Sequence, residues 1–245
     1  VDFERLVLSL DYVLPGWNWR SPDIEDSYAV LWAVYLCQIC GVDFGYIYTW
    51  PPVGPGPYCG ALAGDLEDLT QQEIDTVRNN AARELVGLTQ LAKSKLEQVV
   101  FLRDYLCTNR SEPASLDQRR WLGLLAAVHY LRHFAHRRSG KAPTNSVEKL
   151  SSDKMQEWVR DELQIRIKSQ TVFDFPRDRA VVVDPAQVTL GREWLQHLDD
   201  AWEALEALGL TTLKRLPCDR VLDRTSRSGA PLSDPREAAE NVRVG

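Results

Sequence analysis

The side chains able to do chemistry are few and scattered. Cys37-Gln38-Ile39-Cys40 forms a CxxC, half of what a tetrahedral zinc site needs. Cys59 and Cys107 complete such a site only if folding brings them in. A redox dithiol sits at a helix start that follows a strand, whereas this pair closes an apolar run. His129, His133 and His136 share one helical face, a spacing that can offer two imidazoles to one metal. The HExxH glutamate is missing, because Tyr130, Leu131 and Arg132 follow His129. Arg137 and Arg138 beside them repel a cation. Carboxylate pairs such as Asp65/Asp68 and Asp199/Asp200 are ordinary on solvated helix faces. There is no glycine-rich phosphate loop ending in Lys-Ser/Thr and no GxSxG. The expectation is a chain with no catalytic residue, no metal and no other cofactor.

Charge says more than any motif. The 245 residues carry a net charge of −6, which disfavours a generic grip on nucleic acid by the whole chain. The charge is also segregated. Residues 1–75 hold twelve Asp/Glu against only Arg5 and Arg20. Residues 112–141 carry Arg119, Arg120, Arg132, Arg137, Arg138 and Lys141 against Glu112 and Asp117. An acidic front and a basic middle form either two solvated faces or a dipolar surface that orients a charged partner.

These residues must be positioned by helices. Phe3, Leu6, Val7 and Leu10 recur at helical spacing. After a Pro/Gly/Trp corner, Ser21 and Pro22 have the signature of a helix start. The run to Cys40 is apolar nearly all round, too short to span a bilayer, and stops at Gly41. Within 42–50, Phe44, Tyr46 and Tyr48 share one face of a short β element. Ala61–Leu69 is a short helix. Thr70-Gln71-Gln72-Glu73 is a full capping box, and opens a helix running to about Leu106. Its stripe from Ile74 to Val99 serves either the core or an oligomer seam. Further helices cover about 117–136 and 152–167, and a β-hairpin or extended arm covers about 171–183. A last helix carries Trp194, Leu198, Trp202 and Leu205 to Gly209. The expected architecture is mainly α: one compact helical domain over 1–210 with a short β element, and an irregular tail over 211–245. Five cysteines without framework spacing, and no export signal in view, point to a cytoplasmic chain with reduced thiols.

The segment around Trp50 is the most unusual. Trp50, Pro51, Pro52, Gly54, Pro55, Gly56, Pro57 and Tyr58 make a stiff aromatic corner beside the helix bearing Asp65. It is either a packed corner or a preset binding surface that loses little entropy on binding.

Here the chain resembles a known group. Gly41…Phe44-Gly45-Tyr46…Trp50…Gly56-Pro57-Tyr58…Leu62…Asp65-Leu66 is similar to a "W–GPYS–EL–DL" signature. Trp121–Leu131 is similar to a "LELLASIHYL" helix, and Ala201–Leu210 to an "AW–L–LGLI" helix end. Together they resemble the YwgA-like proteins and, more distantly, the Panacea (SocA-like) antitoxin domain, over most of 24–210. Cys59-Gly60-Ala61 stands where the group has Ser-Pro-Glu, and Gly123 where it has Glu. The resemblance implies a helical, winged-helix-flavoured interaction module of prokaryotic toxin–antitoxin or antiviral defence complexes. The implied partner is another protein, met through Trp50, Pro57, Tyr58 and Asp65. The alternative is a nucleic-acid-binding module using the basic 119–141 region; a Cys/His metal or thiol enzyme comes third.

Overall fold

The computed structural model describes residues 2–21, 24–49, 56–81, 90–108, 117–138, 152–171 and 194–210, with only the backbone given at some helix ends. The chain divides into two units, Val1–Lys214 and Arg215–Gly245. The second, and with it the expected tail, lies outside the described residues.

Eight helices are described: α1 Phe3–Val13, α2 Ile24–Ile39, α3 Gly60–Asp68, α4 Gln71–Ala81, α5 Gln90–Thr108, α6 Gln118–Arg138, α7 Ser152–Thr171 and α8 Leu198–Ala207. No strand occurs among them, so the mainly α class stands. None is long and apolar enough to cross a membrane.

Two helices form the centre. α2 is apolar on every side, and Ala29 through Cys37 are all buried; such a helix is stable only inside a core. α2 packs on α6, which in turn meets α5, α7 and α8, while α1 lies against α2, α4 and α5. The α2–α6 approach depends on Gly123. A Cβ there would sit 2.6 Å from both Trp194 Cζ2 and Trp32 Cζ3. Two indoles thus fill the space beside Gly123.

The helix ends follow their local chemistry. α2 stops at Gly41, whose φ of 100° suits glycine. Its N–H donates to Gln38 O, and Val42 N–H to Cys37 O, the paired bonds of a Schellman end. Thr70 and Glu73 form the expected capping box of α4. Ser21, at the expected start of α2, donates its hydroxyl to Asp26 Oδ2, and Pro22 is outside the described residues.

Two expectations are corrected. The helix expected from Thr70 to about Leu106 is not one straight element. Arg78 binds Asp11 and Arg103 binds Val13 O, partners two residues apart on α1. Twenty-five residues of straight helix separate two Cα atoms by about 37 Å, farther than those side chains reach. The described members of the stripe face the core, with Leu96 and Val99 buried and Ile74 and Val77 packed partly against it. The β element over 42–50 is reduced to one antiparallel bridge, Thr49 with Tyr58. The period-two pattern nonetheless holds, since Val42, Phe44, Tyr46 and Tyr48 are buried and the residues between them exposed. Thr171, where the second β segment was expected to begin, is the last residue of α7, and 172–183 lie outside the described residues.

Candidate functional site

The aromatic corner is held by a side chain that imitates a neighbouring strand. Gln38, buried on α2, donates from Nε2 to Tyr46 O at 3.0 Å and accepts from Tyr46 N–H at 2.9 Å. One amide thus satisfies both backbone groups of a buried extended residue, which would otherwise be costly to bury. On the other side Thr49 and Tyr58 exchange backbone bonds of 2.9 and 2.7 Å.

The polar tips of this region turn inward. Tyr46 Oη donates to Asp65 at 2.8 Å and Tyr48 Oη to Leu31 O at 2.7 Å. Burial pushes both phenols up in pKa, with Asp65 adding to the shift of Tyr46 and the thiols Cys59 and Cys37 foremost among the further causes at Tyr48. Cys59 caps α3: its Sγ accepts from Leu62 N–H at 3.4 Å.

Of the expected partner-binding residues, Pro57 is buried and Tyr58 half-buried beside Tyr28, with ring centroids 6.1 Å apart. Asp65 is the acceptor for Tyr46. Trp50 is outside the described residues. Those placed belong to one packed corner.

Cys37, Cys40 and Cys59 are buried and in no disulfide, and desolvation raises the pKa of Cys37 and of Cys59. Among the described residues no group of three or more His, Cys, Asp or Glu could hold a metal. His129 Nδ1 lies 2.8 Å from Tyr35 Oη; the side chains of His133 and His136 are not described.

The basic region is partly committed inward. Arg119 pairs with Asp26. Arg132 is half-buried with its guanidinium 4.5 Å above the Trp202 ring, and desolvation lowers its pKa against the pull of Glu206. Arg120, also half-buried, has its N–H on the capping carboxylate of Asp117. Arg137 and Arg138 lie on the last turn of α6 with side chains not described, and Lys141 lies outside the described residues.

The structure adds a feature that residue spacing did not single out. α1 and α4 leave a groove of about 550 Å³ between them. Val7, Leu69 and Val77 line it with Phe3, while Gln72, Glu73 and Thr76 border it on α4. Phe3 is 39% exposed although it opens the apolar stripe of α1. Asp2, Glu4, Asp11, Asp65, Glu67, Asp68, Glu73 and Asp75 lie on α1, α3, α4 and their caps, against only Arg5 and Arg78. Neither cation faces outward alone. Arg5 stands over Phe44 at 5.7 Å, and Arg78 forks onto Asp11 and covers Trp17. Glu4, Glu67 and Asp68 make no ion pair among the described residues. A neighbouring cavity of about 30 Å³ between Trp19, Arg20 and Arg78 has room for a water and little more. The signal that could have found the groove is an aromatic at the exposed end of an acidic helix.

Comparison with protein-family models, with curated proteins and with solved structures finds no match.

Proposed function

We propose that this chain is a non-enzymatic interaction module that binds a partner protein through its acidic α1–α3–α4 face. The observation that carries the reading is the excess of carboxylates on that face: Glu4, Glu67 and Asp68 are exposed with no ion pair among the described residues, while both guanidiniums are used internally. A surface of one sign steers and orients a partner of the other. The resemblance to antitoxin-like and defence-complex subunits agrees with a binding role, and a toxin or a defence-complex subunit is the partner class it favours. The corner formed by 42–49 and 56–58 serves as the support behind the face rather than as the contact surface. The nucleic-acid reading has less support, because Arg119 and Arg132 are engaged within the protein.

The test is affinity capture from the source cell with the full chain and with Glu4→Lys/Glu67→Lys/Asp68→Lys. A protein retained by the native chain and lost with the charge-reversed one is the expected result. Nuclease-sensitive capture that is indifferent to this variant would move the function to the basic end of α6.

A further inference from the structure

We propose that the α1–α4 groove receives a basic amphipathic helix of the partner protein, its apolar side chains seated on Phe3 and Val77 above the buried Val7 and Leu69. This rests on the reading of the chain as a protein-binding module and specifies what it binds.

Three observations select that occupant. The walls are two helices and the Leu69–Thr70 link, whose backbone is used by Arg20, Glu73 and Ile74. Among the described residues lining the groove no free backbone edge is offered, so an extended strand has nothing to pair with. An occupant must bind through side chains alone, as a helix does with anchors at i, i+3 or i+4, and i+7. The apolar floor continues to an exposed aromatic, Phe3, which suits an apolar helix face.

The surroundings then fix the sign of charge. Asp2, Glu4, Glu73 and Asp75 are all exposed on the two helices that form the groove. A lysine- or arginine-bearing helix gains from these carboxylates, whereas an acidic helix, a nucleic acid or an anionic lipid surface is repelled.

The probe is a fluorescein-labelled Lys/Leu peptide of about 18 residues, long enough for five helical turns, with leucines on one helical face. Two comparison peptides carry the same pattern in Glu/Leu and the same Lys/Leu composition scrambled. Fluorescence polarisation with the full chain, at about 0.15 M salt where only close charge pairs act strongly, should show the patterned Lys/Leu helix bound at least ~10-fold more tightly than either, a difference of about 1.4 kcal/mol. Val77→Arg should weaken it by ~10-fold or more, as should Thr76→Arg at the exposed rim if Val77→Arg perturbs folding, and Phe3→Ala by several-fold. Melting of each variant is recorded alongside.

Equal binding of the scrambled peptide would reduce the effect to diffuse charge attraction and overturn the proposal. So would indifference to both arginine variants, or a dimer in light scattering that Thr76→Arg dissociates, since a second copy would then be the occupant. If a captured partner depends on the acidic face but survives Val77→Arg and Thr76→Arg, the groove assignment fails and the module reading stands. If no captured protein depends on the acidic face while the peptide arms succeed, the module reading fails and the groove remains a helix-binding site.

Discussion

The corner built on residues 42–49 and 56–66 and the face built on α1 and α4 are neighbours with opposite chemistry. In the corner Tyr46 Oη has Asp65, Tyr48 Oη has Leu31 O, and the Tyr46 backbone has Gln38, while Ile47 stays exposed. On the α1–α4 face Phe3 is open and Glu4 makes no ion pair among the described residues. The difference teaches that the described aromatics of the corner are used mainly by the core, whereas the unbalanced charge of α1 and α4 stays at the surface, where we propose that a partner is met. An aromatic brings a large apolar area that folding itself can use; a row of carboxylates gains nothing from a core and stays at the surface.

The largest expected effect tests whether the corner is structural. Gln38→Ala leaves the N–H and C=O of buried Tyr46 without partners, which should cost about 3 kcal/mol at one to three per orphaned group. Gln38→Glu sets a second acceptor against the Tyr46 carbonyl and, when ionised, buries a charge, so it should cost at least as much in a urea titration at neutral pH. Little change with Gln38→Ala would mean that water reaches the segment.

Next comes the support beneath the corner. Gly123→Ala places a Cβ against two indole rings. Overpacking of about 3 kcal/mol, less about 1 kcal/mol regained in helix propensity, predicts a net loss of about 2 kcal/mol. Gly56 stands on the same Trp32, its Cβ position 3.2 Å from Nε1. Near-ultraviolet circular dichroism should therefore change with the melting temperature.

Tyr58→Ala distinguishes support from contact more directly. The ring is half-buried on Tyr28, and its backbone bridge to Thr49 survives the change. A stability loss of about 1.5 kcal/mol, part of the usual aromatic-to-alanine cost, is expected, with peptide binding within about twofold of native.

The smallest effects come from pH. The Thr70 N–H and hydroxyl hold Glu73 below its ordinary carboxylate pKa. Its share of stability is then complete above the ordinary carboxylate value and disappears as pH falls through the lowered one. Glu73→Gln should flatten the acid limb of a melting-versus-pH curve slightly. At the other extreme Cys37 and Tyr48 are raised by burial. Their contribution is complete below their ordinary values of 9.0 and 10.0 and is lost as pH rises beyond them, because the unfolded chain ionises first. An alkaline limb that begins well below pH 9 would contradict this burial.

Much of this architecture was legible because it rests on local rules. The apolar run of α2, the Gly41 stop and the Thr70–Glu73 box each state their conformation in adjacent residues. The alternation of Phe44, Tyr46 and Tyr48 was legible too, but not the partner of that segment, since a glutamine side chain does the work of a strand. The division between α4 and α5 was hidden for a similar reason. A helical stripe runs through both, and only the anchoring of Arg78 and Arg103 on adjacent parts of α1 separates them. The groove was least legible of all, because it is a space between two elements remote in sequence. Its charge was visible, and its shape was not.

The central claim is that partners meet the acidic α1–α4 face and not the aromatic corner. Hydrogen–deuterium exchange of the full chain with and without the patterned Lys/Leu helix tests it most directly. The account predicts slowed exchange in 3–13 and 69–81, with 42–49 and 56–66 unchanged; protection concentrated in 42–49 and 56–66, with α1 and α4 unaffected, would contradict it.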